Sequence, residues 1–558
     1  MAHVIGNDLA YAHPGGDLLF RNVSFRVSGG RKVGVVGANG IGKSTLFGVL
    51  SAELAPAEGD VSVGGRLAYM RQDVGVAGEA RTVRELLADL APGALRSAGA
   101  RMADAERRMN EGDDDGAMDF ATAIADWSEL GGYELQGQWD AACRRIVRSG
   151  FDELADRPAA TLSGGERKRL VLDVLFSSDA DVLLLDEPDN FLDVASKRAL
   201  ERQIAGSKKT VMVISHDREL LSAAVSWILT IEGDGAWMHA GSYATYPQAR
   251  EDRQRKLGDA VKRWNAEERR LRELVRTFKE RARYAPDWAK KADAAETRWR
   301  RFADGGPPPP PVTDQQVRMR IRGADSARKA LVLEAVGVDG LVAPFSEEVH
   351  FGERLGLIGP NGSGKSHLMR AFAGEADLHS GEIRIGNRVS VGSFTQFNVR
   401  GDFAGRRVID VVIERVGGVQ QAMGALARYG LADAAQRSHD LLSGGQKARL
   451  EILCLELEGH NLLLLDEPTD NLDIDSCQAL ESALDGFEGT VVAVSHDRAF
   501  LRRMDRFLMV LHDGSVLALP DYDSATEALL DPERASRVRL AKRLGGGGAN
   551  GARRSSRP

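Results

Sequence analysis

The chain has 558 residues, of which 43% are hydrophobic and 28% charged, and it carries a net charge of −7. This length is enough for two domains with separate cores, and no run of residues approaches the roughly eighteen apolar side chains that a membrane-spanning helix requires. The N-terminus lacks the regions of a secretory signal peptide, and Cys143, Cys454 and Cys477 have no metal-binding spacing, so we expect reduced thiols in a cytoplasmic protein.

The first motif with a defined chemistry is GANGIGKS at residues 37–44. The apolar segment VGVV precedes it and the helix-favouring segment STLFGVL follows Lys43, which is the strand–loop–helix context of a phosphate-binding loop. In such a loop the backbone amides surround the phosphates, Lys43 reaches the β- and γ-phosphates, and the Ser44 hydroxyl binds Mg²⁺. The predicted nucleotide-binding residues of this loop are Gly37, Asn39, Gly40, Gly42, Lys43, Ser44 and Thr45.

Residues 183–188 (LLLDEP) are interpreted as an apolar strand that ends in two carboxylates. Asp186 would hold Mg²⁺ directly or through water, and Glu187 would be the general base that polarises the attacking water. His216 directly follows the next apolar segment, VMVIS (211–215), and would contact the γ-phosphate. Together these residues predict hydrolysis of a nucleoside triphosphate.

A basic segment separates the two halves of the chain. Residues 250–301 hold 18 Lys and Arg against 10 Asp and Glu, with aromatic residues interleaved. Because a proline run cannot continue a helix, we predict two helices with a short turn at 284–288, the first about 37 residues and about 55 Å long. The segment is interpreted as a nucleic-acid-binding surface, with a solvated coiled-coil spacer as the alternative. The predicted contacts are Arg281, Arg283, Lys290 and Lys291.

The motifs return in the same order in the second half. GANGIGKS is repeated as GPNGSGKS (359–366), LSGGE (162–166) as LSGGQ (442–446), LLLDEP at 463–468, and SHDR (215–218) at 495–498. The second set predicts the same chemistry, with Asp466 at Mg²⁺, Glu467 as the base and His496 at the γ-phosphate. The predicted nucleotide-binding residues of its loop are Gly359, Asn361, Gly362, Gly364, Lys365, Ser366 and His367, the last in place of Thr45.

The spacing between the two copies changes once. The offset in residue number is 322 between Lys43 and Lys365 and 324 between Gln72 and Gln396, whereas it is 280 for each of the later motifs. The first copy therefore contains 44 more residues, the difference between 324 and 280, and they fall within 96–139. This polar, helix-favouring stretch is interpreted either as a longer surface helical hairpin or as a dedicated contact arm.

LSGGE and LSGGQ are the signature of ATP-binding cassette proteins, and the chain resembles this superfamily from about residue 3 to 525. The resemblance implies an α/β fold with two tandem P-loop ATPase domains joined by the long helical-hairpin linker. It also implies that the signature loop of one cassette covers the γ-phosphate of ATP held by the other. A monomer would then contain an intramolecular cassette dimer with two ATP molecules.

Two composite sites follow from this resemblance. The residues of the first are Lys43, Gln72, Glu187 and His216 with Ser443, Gly444 and Gly445 of the second signature. The residues of the second are Lys365, Gln396, Glu467 and His496 with Ser163, Gly164 and Gly165. The implied Mg²⁺ ligands are Ser44, Gln72, Asp186, Ser366, Gln396 and Asp466, and Asp193 and Asp473 match the D-loop that lies across the interface.

The family also places an aromatic side chain that stacks on adenine upstream of the phosphate loop. Tyr11 lies there in the first copy, and Val338 is the aliphatic residue expected at the equivalent place in the second. Asp189 and Phe191 stand where the family usually has Thr and His, and the second copy differs at 470–471 (DN). We therefore expect the two sites to differ in ATP affinity and in rate.

The fused cassettes, the basic linker and the phrases LGGYELQGQW (130–139) and GSYATYPQAR (241–250) look like the ABC-F subfamily. That resemblance implies an ATP-dependent clamp on the ribosome that contacts rRNA and peptidyl-tRNA through the linker and modulates translation or protects against ribosome-targeting antibiotics. An ATPase subunit of an exporter is the main alternative, but it needs no long basic linker. A DNA-repair or chromosome-associated ATPase is a third, but it usually carries longer coiled coils or zinc motifs.

We expect four segments along the chain. Residues 1–245 would form the first cassette, including the helical insertion at 96–139, and residues 246–312 the basic hairpin linker. Residues 313–530 would form the second cassette. Residues 531–558 are rich in Gly and Arg and are expected to be a basic disordered tail.

Overall fold

The computed structural model describes residues 2–531, apart from 14, 17, 76–80, 114, 234, 313–316, 320, 322–327, 377–379, 395–402 and 471. Gln396, Asn471 and almost all of the predicted basic tail therefore lie outside the described residues.

The first cassette is built on a six-stranded sheet. The strands of this cassette, β1–β9, are His3–Ala12, Leu18–Ser28, Lys32–Val36, Glu58–Gly64, Leu67–Met70, Val182–Asp186, Thr210–Ile214, Trp227–Glu232 and Gly235–Ala240. The sheet has the order β5-β6-β7-β3-β8-β9, and only its last pair, β8 with β9, is antiparallel. Strands β3, β6 and β7 are buried at every residue, as expected for central parallel strands covered on both faces. A second, antiparallel sheet has the order β2-β1-β4.

Helices α1–α9 of this cassette are Lys43–Leu50, Val83–Ala88, Gly93–Asn110, Gly116–Glu129, Gly132–Ile146, Phe151–Leu154, Gly164–Ser177, Val194–Gly206 and Arg218–Ala223. The predicted insertion at 96–139 contains most of α3, all of α4 and the first half of α5. Trp127 of α4 and Trp139 of α5 are buried with ring centroids 6.3 Å apart, and Trp139 also packs 5.3 Å from Phe151. The insertion is thus anchored to the body of the cassette by these aromatic side chains.

The linker is a helical hairpin. Helix α10 (Tyr246–Ala282) has the predicted length of 37 residues, and a 3₁₀ turn (Pro286–Trp288) leads into α11 (Ala289–Asp304). Trp264 stacks on Phe302 at 5.5 Å, and Phe278 lies 5.5 Å from Trp288. These aromatic residues hold the two helices together, which differs from the sequence interpretation of the interleaved aromatics as part of a nucleic-acid surface.

The base of the hairpin is fixed to the first cassette. Arg250 Nε donates to Glu232 Oε2 (2.9 Å), and Gln254 Nε2 donates to Glu232 Oε1 (2.9 Å). The Val312 amide, on the chain that leaves the hairpin, donates to Gln254 Oε1 (2.8 Å). Both ends of the linker therefore meet at the end of β8.

The second cassette repeats the architecture of the first. Its strands β10–β18 are Lys329–Val338, Val342–His350, Arg354–Ile358, Ser380–Ile385, Val391–Phe394, Leu462–Asp466, Thr490–Val494, Arg506–Val510 and Val516–Leu519. They form sheets of order β14-β15-β16-β12-β17-β18 and β11-β10-β13. Its helices α12–α18 are Lys365–Phe372, Val408–Val416, Val419–Arg428, Gly444–Glu458, Ile474–Asp485, Arg498–Leu501 and Tyr522–Leu530.

Ion pairs join the two cassettes face to face. Arg218 Nη1 donates to Glu481 Oε2 (3.2 Å), and the matching pair, Arg498 with Glu201, crosses the same interface in the opposite direction. Arg498 also lies 3.4 Å from Asp217. Since β3, β6 and β7 are parallel, their carboxyl ends lie at one edge of the sheet, and that edge faces the other cassette.

Candidate active site

Each phosphate loop connects a buried strand to a helix. Gly42 and Gly364 precede α1 and α12 with φ of 101° and 93°, a left-handed conformation that glycine adopts without strain. Lys43 Nζ donates to the carbonyls of Gly37 (2.8 Å) and Ala38 (3.1 Å). Lys365 Nζ makes the same contacts with Gly359 (3.0 Å) and Pro360 (2.8 Å). Each ammonium group is thus held by two carbonyl oxygens of its own phosphate loop.

The carboxylates at the ends of β6 and β15 each keep one oxygen available toward the loops. Within the described part of the chain, Asp186 Oδ1 and Asp466 Oδ1 are buried and have no hydrogen-bond partner. Burial raises the pKa of both carboxyl groups, while hydrogen bonds from Ser44 to Asp186 and from Ser366 to Asp466 oppose this shift. A hydroxyl beside a buried carboxylate with an unused oxygen fits Mg²⁺, which also takes ligands from nucleotide phosphates and water.

No group of three or more His, Cys, Asp or Glu that could hold a metal occurs among the described residues. In phosphate-transfer sites generally, bound Mg²⁺ takes part of its oxygen ligands from the nucleotide.

Glu187 and Glu467 follow these aspartates in a strained conformation. Their φ values of 47° and 50° lie in the left-handed region, which costs a non-glycine residue about 1–3 kcal/mol and is typical of functional sites. Glu187 Oε2 accepts hydrogen bonds from Gln72 Nε2 (2.8 Å) and Asn190 Nδ2 (2.6 Å). Glu467 Oε2 accepts one from the backbone amide of His496 (3.0 Å).

Burial raises the pKa of both glutamates. For Glu187 the neighbouring Asp186 adds to this effect, and Lys168 and Lys43 oppose it. For Glu467 burial, then Asp470 and Asp466, raise the pKa to about 8. Asp470 occupies the position of Asn190 in the first copy, so an amide donor in one site is replaced by a negative charge in the other.

The two histidines lie beside these bases and are neutral at physiological pH. His216 Nε2 is 3.9 Å from Glu187 Oε1, and His496 Nε2 is 3.5 Å from Glu467 Oε1 and 3.0 Å from Asn361 Oδ1. Burial, and then Lys43, lower the pKa of His216 to about 3. Burial, Lys365 and Lys197 lower the pKa of His496 well below its ordinary value.

The first cavity contains groups from both cassettes. It has a volume of about 440 Å³, within the range of small-molecule sites. The sequence-predicted residues that line it are Asn39, Gly40, Gly42, Lys43, Ser44, Thr45, Gln72, Glu187 and His216, with Ser443, Gly444 and Gly445 opposite. Gly37 and Asp186 lie beneath this lining; a Cβ on Gly37 would come within 2.6 Å of the Ile231 carbonyl, so only glycine fits there.

The second cavity, of about 470 Å³, is built in the same way. Its sequence-predicted lining residues are Asn361, Gly362, Gly364, Lys365, Ser366, His367, Glu467 and His496, with Ser163, Gly164 and Gly165 opposite. Gly359 and Asp466 lie beneath it. A Cβ on Gly165 would come within 2.9 Å of the Phe191 carbonyl, whose oxygen accepts a hydrogen bond from Asn361 Nδ2 (2.9 Å).

Each signature serine caps the helix that follows it. The Ser163 hydroxyl accepts a hydrogen bond from the Glu166 amide (3.2 Å), and Ser443 does the same with Gln446 (3.3 Å). The amino ends of α7 and α15 therefore point at the opposite phosphate loop, and such ends bind anions.

Both D-loop aspartates cap a helix, and one of them also contacts the opposite cassette. Asp193 and Asp473 are the N-caps of α8 and α16, accepting from the amides of Ser196 (2.8 Å) and Ser476 (2.9 Å). Asp473 Oδ2 also accepts from the Asn39 amide of the first phosphate loop at 3.5 Å. One carboxylate thus connects a helix of the second cassette with the loop of the first.

The residues that line the cavities include close neighbours of the predicted adenine-side residues Tyr11 and Val338. Tyr11 packs on Phe20 with ring centroids 6.2 Å apart and is absent from the lining of the first cavity, where His13 and Leu19 are found instead. Val338 is buried in the core, and Leu341 lines the second cavity. His13 is exposed and directly follows the end of β1.

Sequence reasoning missed Asn190 and Lys168, which also fix Glu187. Lys168 Nζ donates to the Glu187 carbonyl (2.5 Å), and it lies 5.4 Å from the centre of the Phe191 ring. Two sequence differences could have indicated these contacts. Asp189 and Phe191 depart from the family pattern, and the signature helix of the first copy carries Lys168 where the second copy has Ala448.

The predicted RNA contacts lie at the tip of the hairpin. Arg281 and Lys291 lie over the Trp288 ring, 5.0 and 4.2 Å from its centre. Arg283 and Lys290 are exposed, and Tyr284 is 91% exposed. The tip thus presents basic groups around one solvent-facing aromatic ring.

Comparison with known proteins gives consistent matches along the chain. The profile of the ABC transporter family matches residues 20–190 and 342–470. An antibiotic resistance protein of Mycobacteroides abscessus is 42% identical, covering 92% of this chain and 98% of the relative. The tylosin resistance ATP-binding protein TlrC of Streptomyces fradiae is 32% identical over 89% and 95%, and the energy-dependent translational throttle protein EttA of Escherichia coli is 30% identical over 94% and 96%.

Among solved structures, the RNase-L inhibitor matches with a TM-score of 0.58 and 18% identity over 93% of this chain and 92% of that one, which shows a shared tandem fold. Within the part of the chain that the structure describes, no helix is long and apolar enough to cross a membrane.

Proposed function

Because this chain belongs to the ABC-F subfamily of ATP-binding cassette proteins, we propose that it hydrolyses ATP and acts on the ribosome in the cytoplasm as an ATP-dependent clamp. The protein would be a monomer whose two cassettes close on each other over two ATP molecules. The observation that carries this proposal is that each cavity combines the phosphate loop of one cassette with the signature helix of the other.

Closure follows from where the positive groups lie. In each cavity a lysine, the loop amides and the amino end of the opposite signature helix converge, so a triphosphate would neutralise groups from both cassettes at once. Nucleotide is then part of the interface, and its departure leaves these groups facing each other without a ligand. Hydrolysis of ATP would likewise weaken the closed state, because it changes the nucleotide that holds the two cassettes together.

Hydrolysis would use the groups around each glutamate. Bound Mg²⁺, held by Ser44 and Asp186 in one site and by Ser366 and Asp466 in the other, would supply neutralisation of phosphate charge. Glu187 and Glu467 would accept the proton of the attacking water. The neutral imidazoles of His216 and His496 would donate a hydrogen bond to the γ-phosphate without competing with the base for a proton.

The linker would carry the contact with RNA. Its base is fixed to Glu232 in the first cassette, and α10 extends about 55 Å from there. Arg281, Arg283, Lys290 and Lys291 at the tip would bind phosphates of rRNA or peptidyl-tRNA, and the exposed Tyr284 ring would stack on an unpaired base.

The relatives support a role in translation. Two carry names that denote antibiotic resistance, and a third is named a translational throttle protein. Antibiotic resistance and control of translation are both compatible with a clamp on the ribosome, because its binding can alter either translation itself or the site where a drug binds. Drug susceptibility of a deletion strain distinguishes resistance from a general translation factor.

The experiment that tests the proposal is ribosome co-sedimentation of the variant with both Glu187→Gln and Glu467→Gln. This variant should bind ATP, hydrolyse it at below roughly a hundredth of the wild-type rate, and sediment with ribosomes only when ATP is present, with an affinity that falls as salt rises. It should also inhibit translation in a cell extract. Wild-type turnover by this variant, or sedimentation that ignores ATP, would overturn the proposal.

A further inference from the structure

The two cavities share a wall at one lysine. Lys197 lies in the first turn of α8 and lines the cavity around Lys43 as well as the cavity around Lys365. Its side chain is only 10% exposed, and Nζ lies 3.3 Å from Asp217 Oδ2. A single buried ammonium group therefore stands between the two candidate ATP sites.

Carboxylates from both cassettes surround this group. Asp189 and Asp217 come from the first cassette, and Asp470 and Asp497 come from the second. Burial lowers the pKa of Lys197, but these four carboxylates outweigh it and hold the pKa above its ordinary value, so the group is charged. Because like charges repel strongly away from water, the Lys197 ammonium favours the approach of these carboxylates to one another.

The internal repeat shows that this arrangement is one-sided. In the register of the later motifs, Asp189 and Lys197 correspond to Thr469 and Cys477. In the second cassette the Cys477 thiol lies 3.8 Å from the Thr469 carbonyl, a neutral contact. The outer pairs, Arg218 with Glu481 and Arg498 with Glu201, occur on both sides of the interface. A charged pair thus replaces a neutral pair at one of two equivalent positions.

We propose that Lys197 is a positioning residue that couples the two ATP sites, because the contacts that close either cavity depend on the same ammonium group. The coupling rests on the proposed binding of ATP in both cavities. When one ATP draws the cassettes together, Lys197 and its carboxylates take their closed positions, and the second ATP binds to a cavity that is already assembled. By thermodynamic linkage the effect is reciprocal, so each ATP raises the affinity for the other.

Equilibrium ATP titration of the non-hydrolysing protein with Glu187→Gln and Glu467→Gln tests this coupling. We expect two bound ATP molecules with a Hill coefficient above 1. Adding Lys197→Cys, which copies the second cassette at this position alone, should bring the Hill coefficient to about 1. Adding Lys197→Arg instead keeps a positive charge among the carboxylates, so cooperativity should be retained. Lys208→Cys, at an exposed position of the same cassette, is the matched control and should change nothing.

Two results would overturn the proposal in the variants. One is unchanged cooperativity after Lys197→Cys; the other is a Lys197→Arg variant as defective as Lys197→Cys, which would show that the positive charge is not the cause. The parent protein, which carries only Glu187→Gln and Glu467→Gln, distinguishes failure of the coupling from failure of the proposed ATPase. Two independent ATP sites in the parent would refute the coupling alone, whereas failure of the parent to bind ATP would refute the proposed ATPase and the coupling with it.

Discussion

At the scale of single residues, the two glutamates proposed as general bases have different surroundings although their motifs are identical. Glu187 accepts hydrogen bonds from Gln72 and Asn190, which stabilise its ionised form. Glu467 instead has Asp470 at the position of Asn190, and burial together with that charge raises its pKa to about 8. Hydrogen bonds thus favour the ionised form of Glu187, whereas the Asp470 charge opposes ionisation of Glu467.

Asn190→Asp should make the first site behave like the second. In a Glu467→Gln background the new carboxylate would raise the pKa of Glu187, and a base must be ionised to act, so the rising limb of the pH–rate profile should move to higher pH. A shift of about one pKa unit corresponds to about a tenfold lower rate on that limb. Steady-state ATPase rates between about pH 5 and 9 measure the shift of the profile. Asn7→Asp, at an exposed position, is the control. An unshifted profile would show that Asn190 does not tune the base.

His13 should contribute to ATP affinity in the first site alone. Its ring lines that cavity where Tyr11 does not, and stacking of an aromatic ring on adenine contributes about 1 kcal/mol, or roughly a fivefold change in Kd. We expect His13→Ala to weaken ATP binding by this factor in a Lys365→Ala background and to have no effect in a Lys43→Ala background. Titration with a fluorescent ATP analogue checks both, and Tyr11→Phe serves as a control. Equal effects in the two backgrounds would contradict the assignment.

At the scale of elements, the hairpin is stabilised from within by the aromatic residues that its basic sequence carries. Trp264 stacks on Phe302, and Trp299 Nε1 donates to Glu268 Oε1 (3.2 Å) near the middle of the hairpin. Lys279 adds an ion pair with Glu296 at 2.6 Å. A stiff hairpin can transmit a change at its base to its tip, which a flexible linker cannot.

Replacing Arg283 and Lys290 with Ala should weaken ribosome binding while the hairpin stays folded. Arg281 and Lys291 lie over the Trp288 ring, whereas Arg283 and Lys290 are exposed, so we expect their removal to take away charge and to leave the packing of the tip in place. The slope of log affinity against log salt should decrease by about one unit for each phosphate that is no longer bound. Salt-dependent co-sedimentation measures this, and Lys256→Ala, exposed near the base of α10, is the control. An unchanged slope would identify the hairpin as a spacer.

The sequence was sufficient for the elements that repeat and insufficient for what depends on contacts between the copies. Strand, loop and helix around Lys43 and Lys365 follow from local patterns that occur twice, and the 37-residue helix follows from composition and the proline run. The role proposed for Lys197 could not be predicted, because it depends on carboxylates of the second cassette that only the fold brings close.

At the scale of the whole molecule, the base of the hairpin and the first ATP site are close together. The junction of Tyr246, Arg250 and Val312 borders a cavity that also contains Asn39 of the first phosphate loop and Asp473 of the second cassette. Closure of the cassettes over ATP would therefore move groups that touch the base of the linker. We therefore expect the position of the hairpin tip to depend on nucleotide.

The most direct test of this account is an electron cryo-microscopy structure of ribosomes incubated with ATP and the variant carrying Glu187→Gln and Glu467→Gln. The account predicts one nucleotide in each cavity, contacted by Ser443–Gly445 in the first and by Ser163–Gly165 in the second, with the tip around Tyr284 against RNA. Nucleotides that contact only their own cassette, or a hairpin tip that lies away from RNA in the bound particle, would contradict it.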